Sequence, residues 1–189
     1  TMWLVDTFGY ASAMPQILRK SGLDTFVTQK LTWSETNPFP YGHFDWEGID
    51  GSRIRCVFPQ SYVTRTYPDE MMQWYKRYPS KDIAPDLLYL YGYGDGGGGP
   101  VREDVELGKR MQEFPAYPRV KFSRVEDALD AIKSRADALA NEYGYQIPVW
   151  KGELYLEFHR GTLTTHALVK RRNRKNELLL REAEIWAAL

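Results

Sequence analysis

Three ionisable residues stand where apolar runs end. Asp6 closes Trp3-Leu4-Val5. Asp95 follows the run Leu88 to Tyr91 and opens a string of four glycines. His159 closes Leu154 to Phe158, just before Gly161. In open α/β sheets and barrels, chemistry collects at the carboxyl ends of the strands. Two carboxylates and an imidazole at three such ends suggest one shared site. Two carboxyl groups brought together can serve as a general acid and a general base. A neutral imidazole suits a zinc ion.

Each residue also has a plainer reading. Asp6 could cap the turn or helix that follows it. Asp95 could lie in a flexible turn, since the glycines around it leave room for close approach by a ligand but carry no chemistry themselves. The same loop could cradle a phosphate, yet it ends Gly99-Pro100-Val101 where a P-loop needs Gly-Lys-Ser/Thr. Gly92, Gly94 and Gly97 fit G-x-G-x-x-G only weakly. A lone His159 is most simply a hydrogen-bonded structural histidine. Glu157, two residues before it on the same strand face, could assist as a ligand. His166 belongs to the helix beyond and to the surface.

Positioning these groups requires an ordered alternation of elements. Residues 2–5 read as a buried strand, and a helix runs from about Ser12, a plausible N-cap, to Lys20, with Gly22 as its stop. Thr25 to Gln29 reads as a strand, and 31–41, with Pro38 and Pro40, as loop. Asp50-Gly51 between Phe44–Gly48 and Arg53–Phe58 is a strong hairpin signal. A helix is expected over 68–77. Asp86 to Tyr91 is the best candidate for a parallel strand. A helix over 101–113 follows, then a short strand at 120–122. Ser123 and Glu126 form a capping-box pattern ahead of the apolar stripe Val125, Leu129, Ile132, Ala136 and Leu139. Leu154 to Phe158 is the last strand. From Thr164 to Leu189 there is no Gly or Pro, which predicts one long helix.

The alternation implies an α/β fold with a mostly parallel sheet. The expected division is 1–161, the second half of a β/α catalytic domain, and 162–189, the first long helix of a helical bundle. The first residues enter a strand without lead-in and the last helix needs apolar partners, so both ends look cut.

Composition narrows the function classes. The 189 residues suffice for about one domain. Lys+Arg and Asp+Glu are both 25, which argues against a nucleic-acid partner. No apolar run reaches the ~20 residues needed to span a membrane. The single cysteine, Cys56, cannot make an internal disulfide and fits a reducing, cytoplasmic setting. With 6 Trp, 13 Tyr and 8 Phe, the chain has aromatic side chains to spare for stacking sugar rings, or for a large core. The basic run Lys170-Arg171-Arg172 reads as a solvated helix face.

The segments Trp3-Leu4-Val5-Asp6-Thr7-Phe8-Gly9-Tyr10, Phe26-Val27-Thr28-Gln29-Lys30-Leu31, Trp46-Glu47-Gly48-Ile49-Asp50-Gly51-Ser52, Tyr93-Gly94-Asp95-Gly96-Gly97-Gly98-Gly99-Pro100 and Glu153-Leu154-Tyr155-Leu156-Glu157-Phe158-His159-Arg160-Gly161-Thr162 resemble, in this order, the family 38 glycoside hydrolases. These are retaining α-mannosidases, and the resemblance is to their bacterial and cytosolic branch. It implies that Asp6 is the nucleophile and also a metal ligand, Asp95 the acid/base and His159 a ligand of Zn²⁺ or another divalent ion. It further implies two more ligands, a His and an Asp one residue apart on an upstream strand. His43-Phe44-Asp45 has that spacing but not that context.

Trp46, Tyr93 and Arg160 are the expected substrate contacts. Gln29, Lys30 and Asp50 are either polar contacts or packing. The family commonly carries a histidine near position 57, where this chain has Val57. The expected partners are α-mannosides and the remaining parts of a longer chain. The oligomeric state is left open, a homo-oligomer included. The isolated chain is expected to hold metal weakly and to be inactive alone. The other reading is a non-catalytic carbohydrate-binding or assembly fragment with the same fold.

Overall fold

The structure, a computed structural model, describes residues 1–115 and 117–188, leaving aside the side chain of Leu163. The chain forms two compact units, Thr1–Glu157 and Phe158–Leu189.

The first unit is built on a five-stranded sheet. Its strands are β1 (Met2–Trp3), β3 (Thr25–Val27), β5 (Arg53–Val57), β4 (His43–Glu47) and β6 (Val149–Lys151), in that spatial order. β1, β3 and β5 are parallel, β4 is antiparallel to β5, and β6 is parallel to β4. A separate two-stranded sheet pairs β2 (Gly9–Tyr10) with β7 (Leu154–Tyr155) in antiparallel register. The helices are α1 (Met14–Lys20), α2 (Pro68–Arg77), α3 (Arg102–Met111) and α4 (Val125–Tyr143). The fold is thus α/β with a mostly parallel main sheet.

Two apolar layers explain the sheet. β3 is buried throughout, as a strand covered on both faces must be. Phe26 joins one core with Tyr10, Leu18, Phe44, Trp46, Ile54 and Leu154. Its neighbour Val27 points into another, with Val57, Leu88, Leu129 and Ile132. Leu18 comes from α1, and Leu129 and Ile132 from α4, so a helix covers each face. The hairpin β4–β5 follows the same alternation: Phe44 lies opposite Cys56 and Trp46 opposite Ile54, while Asp45 and Glu47 lie opposite Arg55 and Arg53. In its turn Gly51 takes φ +81°, and the Asp50 carboxylate accepts the Ser52 N–H and hydroxyl.

Several expectations need correction. Asp86 to Tyr91 is not a strand. Leu88 and Leu90 bury against Val27 and Val57, but the backbone is tied to a loop: the Thr64 hydroxyl donates to the Leu90 carbonyl and the Gly92 N–H to the Thr64 carbonyl. An apolar run records burial, not ladder pairing. Residues 120–122 are not a strand either. Phe122 docks on α3 at Gly108, where a Cβ would lie 2.5 Å from the ring. Ser123 does not cap α4, whose N-cap is Arg124, and Ser12 does not cap α1, whose N-cap is Ala13. β6 was not foreseen. Leu154 to Phe158 keeps strand form only to Tyr155 and then enters a 3-10 turn, Glu157–Leu163.

The second unit is the remainder of that turn and α5 (Ala167–Ala187). His166 is its N-cap, with a left-handed φ of +56°. Leu178 to Leu180, Ile185 and Trp186 are exposed on α5.

Candidate active site around Asp6 and the glycine loop

Asp6 sits three residues beyond the end of β1, in a turn held from below. The Tyr10 hydroxyl donates to the Leu4 carbonyl at 2.7 Å, lies 3.2 Å from the Thr7 carbonyl, and is 2.6 Å from the Thr28 hydroxyl. Tyr10 is anchored by edge-on contact with Phe26 in the core. The apolar spacing that makes β1 and β3 therefore also fixes the turn that carries the carboxylate.

Asp6 Oδ1 receives two bonds, from Lys30 Nζ at 2.8 Å and the Tyr62 hydroxyl at 2.7 Å. Lys30 Nζ also donates to Tyr62 at 2.7 Å. The burial is lopsided: the Lys30 side chain is 5% exposed and that of Asp6 70%. Lys30 Nζ lies 3.5 Å from the Trp33 ring centre, with the Tyr62 and Phe8 rings at 5.0 and 5.9 Å. A cation under aromatic faces is stabilised there by their negative quadrupoles. The bonds from Lys30 and then Tyr62 hold the Asp6 carboxyl below its ordinary range. Burial alone would lower Lys30, but its bonds to Asp6 and Tyr62 outweigh that and raise it. The result is an ionised carboxylate with both bonds on one oxygen and its surface open to solvent, which is what a nucleophile or a metal ligand requires.

Asp95 occupies an exposed loop and itself takes a left-handed φ of +50°. The neck of this loop is closed by the Tyr93 N–H donating to the Gly99 carbonyl at 3.0 Å. Gly98 is obligatory: a Cβ there would meet the Tyr93 carbonyl at 2.5 Å. A single segment, Tyr62 to Thr66, touches both carboxylate regions. Tyr62 bonds Asp6. Val63 packs so close to Gly94 that a Cβ there would lie 2.6 Å from its methyl. Thr64 grips Leu90 and Gly92, and Arg65 donates to the Tyr93 hydroxyl at 2.7 Å. This strap was missed in the sequence because Ser-Tyr-Val-Thr-Arg-Thr carries no motif. Its only signal is three β-branched residues, Val63, Thr64 and Thr66, beside an aromatic and an arginine.

The other expected site residues fare unevenly. Tyr93 is 54% exposed, with its ring face against Arg65 at 4.7 Å. Trp46 is a correction: it is fully buried, its ring packs on Tyr10 and Phe26, and its indole N–H donates to the Gly152 carbonyl. It shapes the core and presents no surface to a sugar. Trp33, 48% exposed over Lys30, is the accessible indole beside Asp6. Glu157 is no ligand candidate, since its carboxylate accepts the backbone N–H groups of Glu35, Thr36 and Asn37. Of the three polar residues left open, Lys30 belongs to the site. Gln29 is buried against Thr32 and Gln60, and Asp50 is spent in its turn.

His159 and Arg160 fall in the second unit, within the 3-10 turn, where the His159 carbonyl accepts the Thr162 hydroxyl. His159 is thus on a turn rather than a strand end. Asp95 likewise follows an extended run without ladder pairing. His43 is buried in β4, accepts from Arg55 at 3.1 Å, and is not available as a ligand. Among the described residues no three His, Cys, Asp or Glu gather as a metal site. A cavity of the first unit, about 950 Å³, is lined largely by apolar residues including Val5, Leu88, Leu90, Ala128 and Ile132. Tyr62 reaches it from the Asp6 cage, but neither carboxylate lines it.

Residues 1–153 match the N-terminal domain of the glycosyl hydrolases of family 38. Alpha-mannosidase 2C1 of Homo sapiens is 39% identical over 189 residues, 99% of this chain and 17% of that protein. An alpha-mannosidase of Saccharomyces cerevisiae is 38% identical over 194 aligned positions, 98% of this chain and 17% of that one. The chain thus spans about a sixth of the length of these curated relatives. In structure it is similar to an alpha-mannosidase from Enterococcus faecalis, with a TM-score of 0.53 at 19% identity, over 81% of this chain and 18% of that one. That likeness concerns the fold. The match over residues 1–153 and the identity across almost the whole chain agree, and the chain belongs to glycosyl hydrolase family 38.

Proposed function

We propose that the protein of which this chain is part is a retaining exo-α-mannosidase. Its substrates would be terminal α-mannosides, in keeping with the names of its relatives. The observation that carries the reading is the Asp6 carboxylate, ionised by Lys30 and Tyr62 yet 70% exposed. Its oxygen attacks the anomeric carbon as the glycosidic bond breaks. Asp95 gives its proton to the departing oxygen, then takes one from the water that cleaves the glycosyl ester and restores Asp6. Trp33, beside Asp6, supplies an exposed aromatic face for sugar stacking.

A bound zinc or another divalent ion would act as Lewis acid and template for sugar hydroxyls. Asp6, ionised and exposed, fits as one oxygen donor, and the His159 imidazole is a donor of the right chemistry. The described residues do not complete a ligand set, so further donors would come from the rest of the protein. A reducing compartment suits the buried free thiol of Cys56, and no described helix is long and apolar enough to cross a membrane.

The test separates the two carboxylates in the complete protein. Asp6→Asn should abolish turnover of every α-mannoside, because no covalent intermediate forms. Asp95→Asn should slow unactivated mannosides most and spare the first step with an activated aryl mannoside, which needs little protonation. Equal loss on both substrates for Asp95→Asn would move the acid/base elsewhere. Mannoside binding without turnover in the unaltered protein would favour the non-catalytic reading.

A further inference from the structure

The loop that carries Asp95 has glycine at 94 and at 96–99, so it has almost no side chains with which to hold itself. A glycine-rich segment has a large conformational entropy to lose, and something outside it must fix its course. Resting on the reading of Asp95 as acid and base, we infer that Arg65 is its positioning residue. Arg65 ties the entering end of the loop to one buried carboxylate, Asp104 in the first turn of α3, which itself holds the leaving end.

The ties are specific. Arg65 Nε donates to Asp104 Oδ1 at 2.7 Å, and Asp104 is fully buried. A buried carboxylate is tolerated only when paired and hydrogen-bonded, so this pair holds the guanidinium in one place. From there Nη1 donates to the Tyr93 hydroxyl at 2.7 Å, which secures the entering end of the loop. The Asp104 Oδ2 accepts the Val101 N–H at 3.1 Å, which secures the leaving end just beyond Pro100. Thr66 adds its N–H to Oδ1 at 3.4 Å and its hydroxyl to the Asp104 carbonyl at 2.7 Å. Nη2 reaches Glu103 at 3.3 Å. The guanidinium is also flanked by the rings of Tyr67 and Tyr93, at 5.2 and 4.7 Å from their centres. Arginine suits this role because its planar fork serves two acceptors in fixed directions, which a lysine cannot do. Asp95 stands two residues from Tyr93, inside the closed neck.

The test uses the complete protein and two substrates, an unactivated mannoside and an activated aryl mannoside. Tyr93→Phe keeps the ring and the Arg65–Asp104 pair and removes only the hydroxyl tie. It should lower kcat on the unactivated mannoside by about 10-fold and change kcat on the aryl mannoside by less than about 2-fold, with KM unchanged for both. Arg65→Gln should give the same split and a larger loss, about 100-fold on the unactivated substrate, if the variant folds. A Tyr93→Phe variant that loses both substrates alike, loses affinity only, or loses nothing overturns the inference. Asp95→Asn is measured alongside. If it shows the leaving-group split and Tyr93→Phe does not, the clamp fails while the acid/base assignment stands. If Asp95→Asn shows no split, the acid/base assignment fails and takes the clamp with it.

Discussion

The two carboxylates are held in opposite ways. Asp6 is bonded directly, by a buried lysine and a tyrosine, on a turn stapled to the core through Tyr10. Asp95 is held at second hand, through Tyr93, by an ion pair that never touches it. The difference matches the demands of the two proposed roles, nucleophile and acid/base. A nucleophile must stay ionised and aimed at one carbon, which a fixed cation secures. An acid that becomes a base must carry a proton in one step and lack it in the next. A permanent cation bonded to it would prevent the first state. Clamping the loop rather than the carboxylate gives position without fixing charge.

Removing the cation should break the contrast most severely. Lys30→Met strips Asp6 of the larger of the two influences that lower its pKa. In the complete protein kcat/KM should fall by about 100-fold on activated and unactivated mannosides alike. With less stabilisation of the charged form, the Asp6 pKa rises. The acid-side limb of the pH profile for kcat/KM should therefore move to higher pH. An unmoved limb would mean that Lys30 does not govern the ionisation of Asp6.

The sheet carries a pH dependence of its own through His43 in β4. Burial, and then the nearby Arg55 cation, lower the His43 pKa from 6.5 to about 4. His43 is therefore neutral in the fold, while the unfolded chain takes up a proton below about pH 6.5. The stability that depends on a neutral His43 is full above that pH and is lost as pH falls toward 4, amounting to about 3 kcal/mol. His43→Gln should flatten the decline of the thermal midpoint between pH 7 and 4.5 relative to the unaltered protein. An identical decline in both would assign the acid sensitivity to other groups.

The smallest effect belongs to the loop. Gly97 has φ +78° and open space where a Cβ would go. Gly97→Ala should therefore cost about 1 kcal/mol of backbone strain and no steric clash. Because the loop is exposed, differential scanning should show a shift of the midpoint of a few degrees at most. A drop as large as that of a core truncation would mean that the loop, like the turn of Asp6, supports the fold.

Much of this was legible in the residues themselves. The Asp50-Gly51 hairpin, α2 over 68–77, the stripe of α4 and the open carboxylate after β1 all follow from local rules of turn chemistry and periodicity, which act over a few residues. Other features depended on which distant segments meet. Asp86 to Tyr91 has the composition of a strand, but its backbone is taken by Thr64. Trp46 has the composition of a sugar platform, but its place in β4 turns it into the core, while Trp33 lies exposed by Asp6. Lys30 and Tyr62 are 32 positions apart and Arg65 and Asp104 are 39 apart, and no periodicity links them. A charge in the sequence says only that it will be solvated or paired. Which partner it finds, and so whether it tunes an exposed carboxylate or braces a loop, is set by the packing of the sheet and helices between them.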